Sequence, residues 1–431
     1  MSTSKSLTDQ GSMRAAARSG GARLTKSVAL ISFVILAMSY VVNAMDRQVF
    51  PVVLPQINKD FGFSLAQGGF LATVFTLGIG LAGVPTGMLL DRISRKAVIL
   101  IGVGVFSVFT LLTALGVGFF DLFAYRAFSG VGEAMQNVAL FSAVGAYFVA
   151  DRALAIGALN FAYGLGGFLG PLIGAQLAVG AGDWRAPFFV FAALGALFII
   201  IIWAVVRKRF TEQVEGASFE GYVTQDFDHM PTRLLNRNVV LLGATAGILG
   251  LSVFGFIGLY STFLQESLHL SLAEAGPIVS MYGLGAMLGL PAGYISDRLN
   301  LKYTTIAALL AASVVGYLIF NWDTTTGWQY FLSFCEGGAG SGFLFVTIYT
   351  SLQSAVRPKL VGRASGIFVS CFYISAALAG YLFSTLVGAV GWGGAGFWQL
   401  SILPLIGVVV MLFVDTKYLL RARSSLRQLR H

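Results

Sequence analysis

The sequence predicts an all-α integral membrane protein, twelve transmembrane helices in two pseudo-symmetric six-helix bundles. Three observations predict it. Hydrophobic residues make up 56% of the 431 and charged ones only 11%, with a mean hydropathy of +0.80; soluble domains carry about 25% charged residues. Apolar stretches near the ~20 residues needed to cross a bilayer recur along the chain. A short pattern, Pro85-x-Gly87-x-x-x-Asp91-Arg92, returns as Pro291-x-Gly293-x-x-x-Asp297-Arg298, each copy at the inner end of a second span.

In chain order, residues 1–26 are polar and basic and form a cytoplasmic tail. Val42-Asn-Ala44 loosely resembles a signal-peptidase site, but the apolar run before it is too long for a signal peptide. The spans fall at 27–55, 66–89, 97–117, 120–148, 153–178 and 186–206, then at 239–263, 272–296, 303–321, 328–353, 361–388 and 396–415. Residues 27–206 make the N-terminal bundle and 239–415 the C-terminal bundle. The mixed-charge loop 207–238 is a cytoplasmic linker between them, and 416–431 a second cytoplasmic tail. Apart from Lys59 and Arg185 on the other side and Arg47 and Arg126 within spans, every Lys and Arg falls in the tails or in alternate loops of one side. That bias orients both termini to the cytoplasm of a cell inner (plasma) membrane. The net charge of +9 is therefore a topology signal, and no nucleic-acid partner is expected. Cys335 and Cys371 lie in apolar segments and are expected to pack as thiols.

The first span carries Asp46 and Arg47 side by side, and each costs roughly 2.5–3.5 kcal/mol at mid-bilayer. Such residues face a polar cavity or pair with a neighbouring helix. The fourth span supplies partners: Arg126 and Glu133 are seven residues apart, two turns on one helix face, with Gly130 and Asn137 on the same stripe. Adjacent residues point about 100° apart, so Asp46 and Arg47 do not pair with each other. The simplest arrangement pairs Asp46 with Arg126 and leaves Arg47 free to meet substrate.

Gly87-Met-Leu-Leu-Asp-Arg-Ile-Ser-Arg-Lys96 resembles the major facilitator superfamily signature G-x-L-x-D-R-x-G-R-R/K, with Ser94 in place of its second glycine. The resemblance implies a major facilitator fold and a cytoplasmic gate built from Gly87, Asp91, Arg92, Arg95, Lys96 and, in the weaker second copy, Gly293, Asp297 and Arg298. Asn-x-x-Asp-Arg in span one with Arg-x₆-Glu-Ala in span four is similar to the anion:cation symporters (sugar-acid carriers and relatives of sialin and the vesicular glutamate transporters) and to the Spinster-like carriers. That likeness implies proton coupling at Asp46 and Glu133 and substrate contact at Arg47 and Arg126. Asn137, Asn160, Tyr163, Tyr260, Tyr373 and Glu336 complete the candidate substrate set. Against this, Gly157-x₈-Gly166-x₃-Gly170-Pro171-x₂-Gly174 resembles a pattern of drug–proton antiporters, though glycine stripes also occur wherever helices pack closely.

No histidine lies within a span and no Gly-x₄-Gly-Lys-Ser/Thr exists, so carboxylates must move any proton and ATP is disfavoured as the energy source. An enzyme would need a nucleophile–base set or metal ligands in the membrane, which is hard to assemble here. The expectation is a proton-coupled symporter, a monomer among membrane lipid, importing a small organic anion without cofactor or metal. The alternative is a proton-coupled antiporter exporting drugs or bulky, lipid-like solutes.

Overall fold

The computed structural model describes residues 24–148, 152–212, 231–296, 299–357 and 360–419. Most of both tails, most of the linker, and Asp297 and Arg298 lie outside the described residues. Ten helices among these residues are long and apolar enough to cross a membrane. The last of them, Arg363–Leu412, runs 50 residues but turns at Gly391, whose φ of 74° only glycine adopts freely, so it forms two spans. Phe119–Tyr147 is a further 29-residue helix, made more polar by Arg126, Glu133, Gln136 and Asn137. These account for the twelve spans.

Boundaries move where proline or clustered glycine intervenes. The first span ends at Val52, before the expected 55, and the chain resumes as a short helix, Leu54–Phe61. Pro55 has no N–H to continue the ladder, so the helix breaks at Val53. The tenth span changes to a π-helical turn over Gly338–Leu344, where three glycines in seven residues leave the backbone unconstrained.

Small residues set the helix spacing. Gly166 and Gly170 of the fifth span rest on Val41, Ala44 and Met45 of the first, and Gly174 on Val49. From the same helix Gly157, Gly164 and Gly167 meet Leu290, Met287 and Gly283 of the eighth span. The resemblance to the antiporter pattern is thus accounted for by packing on two neighbours.

Each bundle also ties its third helix to its sixth in the same way. Lys96 Nζ donates to the carbonyls of Trp203 and Val206, and Lys302 Nζ to those of Leu412 and Val414. A lysine at the start of one helix thereby satisfies the orphan carbonyls, and the negative dipole end, of another. The sequence repeat is a structural repeat.

Between described residues, hydrogen bonds across the two bundles gather at the end remote from the first helix's start. Ser261 Oγ and Gln265 Nε2 donate to the Val52 carbonyl at 2.9 and 3.0 Å, and Gln56 Nε2 to Gln265 Oε1 at 2.6 Å. Thr73 Oγ1 donates to the Ala377 carbonyl at 3.0 Å. At the opposite end Gly87, Gly293 and Gly366 face open space.

Candidate substrate and proton site

Four charged side chains from spans one and four meet at the centre of the N-terminal bundle, all essentially excluded from solvent. Arg126 Nη1 lies 3.3 Å from Asp46 Oδ2, and Arg47 Nε lies 2.6 Å from Glu133 Oε2. Adjacent residues on span one therefore reach partners two turns apart on span four. The long guanidinium stems close that gap, which is about 10 Å along the axis. The Asp46–Arg126 pair is as expected, but Arg47 is not free: it is the counter-ion of Glu133. The expectation treated Glu133 as a separate proton site and overlooked how far an arginine side chain extends.

The two pairs differ in surroundings. Arg126 is sealed between Phe50 and Phe75, its guanidinium carbon 5.1 Å from each ring centre. Arg47 lies 5.8 Å from the ring of Tyr163, among Tyr40 and Tyr373, the last from the opposite bundle. Asp46 Oδ1, Nε and Nη2 of Arg126, and Nη2 of Arg47 find no hydrogen-bond partner among the described residues. Buried donors in that state are unusual, because each forfeits its hydration.

Ser129 Oγ sits between the carboxylates, 3.1 Å from Glu133 Oε1 and 3.5 Å from Asp46 Oδ2. Beneath them Asn43 Nδ2 donates to Gln136 Oε1 at 2.9 Å, and Gln136 Nε2 to Ser39 Oγ at 3.0 Å. Sequence reasoning missed Tyr40, Asn43, Ser129 and Gln136 as site residues. The signal was present: Tyr40, Asn43 and Arg47 run i, i+3, i+7 on span one, as Arg126, Ser129 and Glu133 do on span four.

Other candidates are more scattered. Asn137 and Asn160 are partly buried, and Asn137 Oδ1 lacks a partner. Tyr260 is not at the bundle interface cluster: its hydroxyl donates to Gln329 at 2.8 Å and its ring stacks on Phe256, both within the C-terminal bundle. Glu336 is also remote, lining a small enclosed cavity with Ser252, Val253, Leu309 and Gly340. Of the gate motif, Asp91 and Arg92 are exposed and form no ion pair among the described residues. Arg95 bonds Ser142 and the Thr211 carbonyl, and the Lys96 backbone N–H donates to Glu212. Those two residues fasten the start of the linker to their own bundle.

The model of the Major Facilitator Superfamily matches residues 36–380, most of the chain. The chain belongs to this superfamily. As a major facilitator it is a transporter and not an enzyme. It is 26% identical over 285 residues to a hexuronate transporter of Bacillus subtilis, covering 65% of this chain and 67% of that one. It is 27% identical over 287 residues to a probable L-galactonate transporter of Escherichia coli, covering 64% of this chain and 63% of that one. Among solved structures, a bacterial homologue of the human lysosomal transporter Spinster, in an inward-facing and occupied conformation, superposes with a TM-score of 0.70 at 20% identity. The match covers 94% of this chain and 99% of that one. That likeness is one of fold.

Proposed function

We propose that this major facilitator is a proton-coupled symporter that imports a small organic anion, a carboxylate or sugar acid, by alternating access, its termini in the cytoplasm. One observation carries the reading: two buried arginine–carboxylate pairs whose guanidinium groups still hold unpartnered N–H donors. A planar guanidinium with spare donors suits a carboxylate bidentately.

The coupling is electrostatic. An anion that takes over Arg47 leaves Glu133 without its counter-ion, and an uncompensated buried charge costs about 3–5 kcal/mol. At about 1.4 kcal/mol per tenfold, that favours a proton on Glu133 by two to three and a half decades. Anion and proton then bind cooperatively, which is the linkage symport requires. Tyr163 and Tyr373 neighbour Arg47 from opposite bundles, which supports a role for both in contacting the rest of the solute. That relatives are a hexuronate and a probable L-galactonate transporter supports a sugar acid as the cargo class.

A second reading has its own observation. An apolar groove of roughly 800 Å³ opens on the C-terminal bundle, lined by Leu288, Tyr303, Ala307, Phe334 and Phe343. A groove of that kind suits an amphipathic or lipid-like solute exported against protons. Proteoliposome flux separates the two. Labelled hexuronate or aldonate accumulating under an inward proton gradient, and failing to do so with a protonophore, supports the symporter; a lipid-like cation or neutral amphiphile as the best ligand overturns it.

A further inference from the structure

We infer that Ser129 is a proton relay joining Asp46 and Glu133, so that the two carboxylates share one proton. The inference rests on the proton-coupled reading of this site and adds a residue to it. Ser129 is fully buried, four residues before Glu133 on the same helix face. Its hydroxyl does not turn back to a backbone carbonyl of its own helix, the usual alternative for a buried serine. It stands between carboxylate oxygens of two different helices, at 3.1 and 3.5 Å.

A hydroxyl has one hydrogen. With both carboxylates charged, Ser129 donates to one and turns a lone pair towards the other. With one carboxyl protonated, the donors run in series: acid to serine oxygen, serine hydrogen to carboxylate. The relay step balances. The Asp46 O–H bond breaks as its proton passes to Ser129 Oγ, while the serine hydrogen passes to Glu133 Oε1. Asp46 becomes charged and re-pairs with Arg126, Glu133 becomes neutral, and no net charge is created. Contraction of each O···O distance towards the ~2.7 Å of a good O–H···O bond completes the path.

Among the described residues, the charged and titratable groups around this relay are few. Span one contributes Tyr40, Asp46 and Arg47, span four Arg126 and Glu133, span five Tyr163 and the opposite bundle Tyr373. Arg126 is the sealed partner of Asp46 and Arg47 the interface partner of Glu133. When an anion occupies Arg47, the proton moves to Glu133 without crossing solvent, and the Asp46–Arg126 pair acts as its store.

The test compares Ser129→Thr with Ser129→Val. The two replacements have the same shape, so their difference reads the hydroxyl alone even where the added methyl perturbs packing. In the first arm the transporter in lipid, without substrate, is titrated with acid and the protonated-carboxyl C=O stretch is followed by infrared difference spectroscopy. The Val variant should show that band at higher frequency, as for an acid with no hydrogen-bond acceptor, and the Thr variant at the parental frequency. In the second arm the ratio of gradient-driven uptake to exchange is measured for the organic anion that most stabilises the parent. The ratio should fall about a hundredfold in Val relative to Thr, the scale of losing a placed proton-transfer group. Equal band frequencies in Thr and Val overturn the relay. A parent without gradient-driven uptake overturns the symport reading, a result independent of the spectroscopic arm.

Discussion

Arg47 holds two roles that a single substitution confounds. Arg47→Ala should abolish binding of an anionic solute, and Arg47→Lys restore little, because an ammonium does not reproduce the planar fork. The Ala variant should also lose about 3–5 kcal/mol of stability, since Glu133 stays buried without its partner. Adding Glu133→Gln removes that charge and should return most of the lost stability without restoring binding. Calorimetric binding and unfolding of the two variants check this together; equal stability of the single and double variants would mean that the pair seen at 2.6 Å contributes little. Asp46→Asn imitates the protonated carboxyl permanently. Substrate exchange should continue while uptake driven by a pH gradient collapses, because the empty carrier cannot reset by releasing its proton. Gradient-driven uptake at the parental rate would remove Asp46 from the coupling path.

At the scale of elements, the glycines that seat span five against span one make a direct prediction. Gly170 has Met45 backbone atoms 2.7 and 2.8 Å from where a Cβ would stand. Gly170→Leu should therefore force spans one and five apart and destabilise by more than the ~1–3 kcal/mol usual for overpacking, read as a lower melting temperature. Gly87→Leu, at a position facing open space, should be nearly silent in the same assay. The remote-end clasp is a second element-scale device. Helix breakage at Val53 frees the Val52 carbonyl, which accepts from Ser261 and Gln265 of the other bundle. Gln265→Leu removes the bonds to Val52, Ser261 and Gln56. At about 0.5–1.5 kcal/mol each, the loss of even one shifts the population open at this end by roughly 2–12-fold. Spin-label distances between the ends of spans one and seven should lengthen in the variant; an unchanged distribution would show the clasp to be energetically idle.

For the whole molecule, the charge asymmetry predicts that tags at either terminus and in the 207–237 loop are reachable only from the cytoplasm. External labelling of that loop would overturn the orientation. The twelve-span fold, the two-bundle repeat and the Asp46–Arg126 pair were legible in the sequence. Composition, span length and recurrence at fixed intervals are local properties, and a lone buried charge announces its need for a partner. Gln136 was not legible as a neighbour of the cluster, because glutamine is tolerated in spans and only its partners place it there; Ser129 was legible only through its i, i+3, i+7 spacing with Arg126 and Glu133. Tyr260 and Glu336 lie apart from the charged cluster: depth in a span can be read from sequence, but the azimuth that turned Tyr260 to Gln329 cannot. What the sequence by itself determined was which residues had to leave water together. That Arg47 meets Glu133 was decided by tertiary structure alone. A 100° turn between Asp46 and Arg47, helix separations set by glycine, and flexible arginine stems jointly select the partners, and that selection exists only once spans one and four are packed.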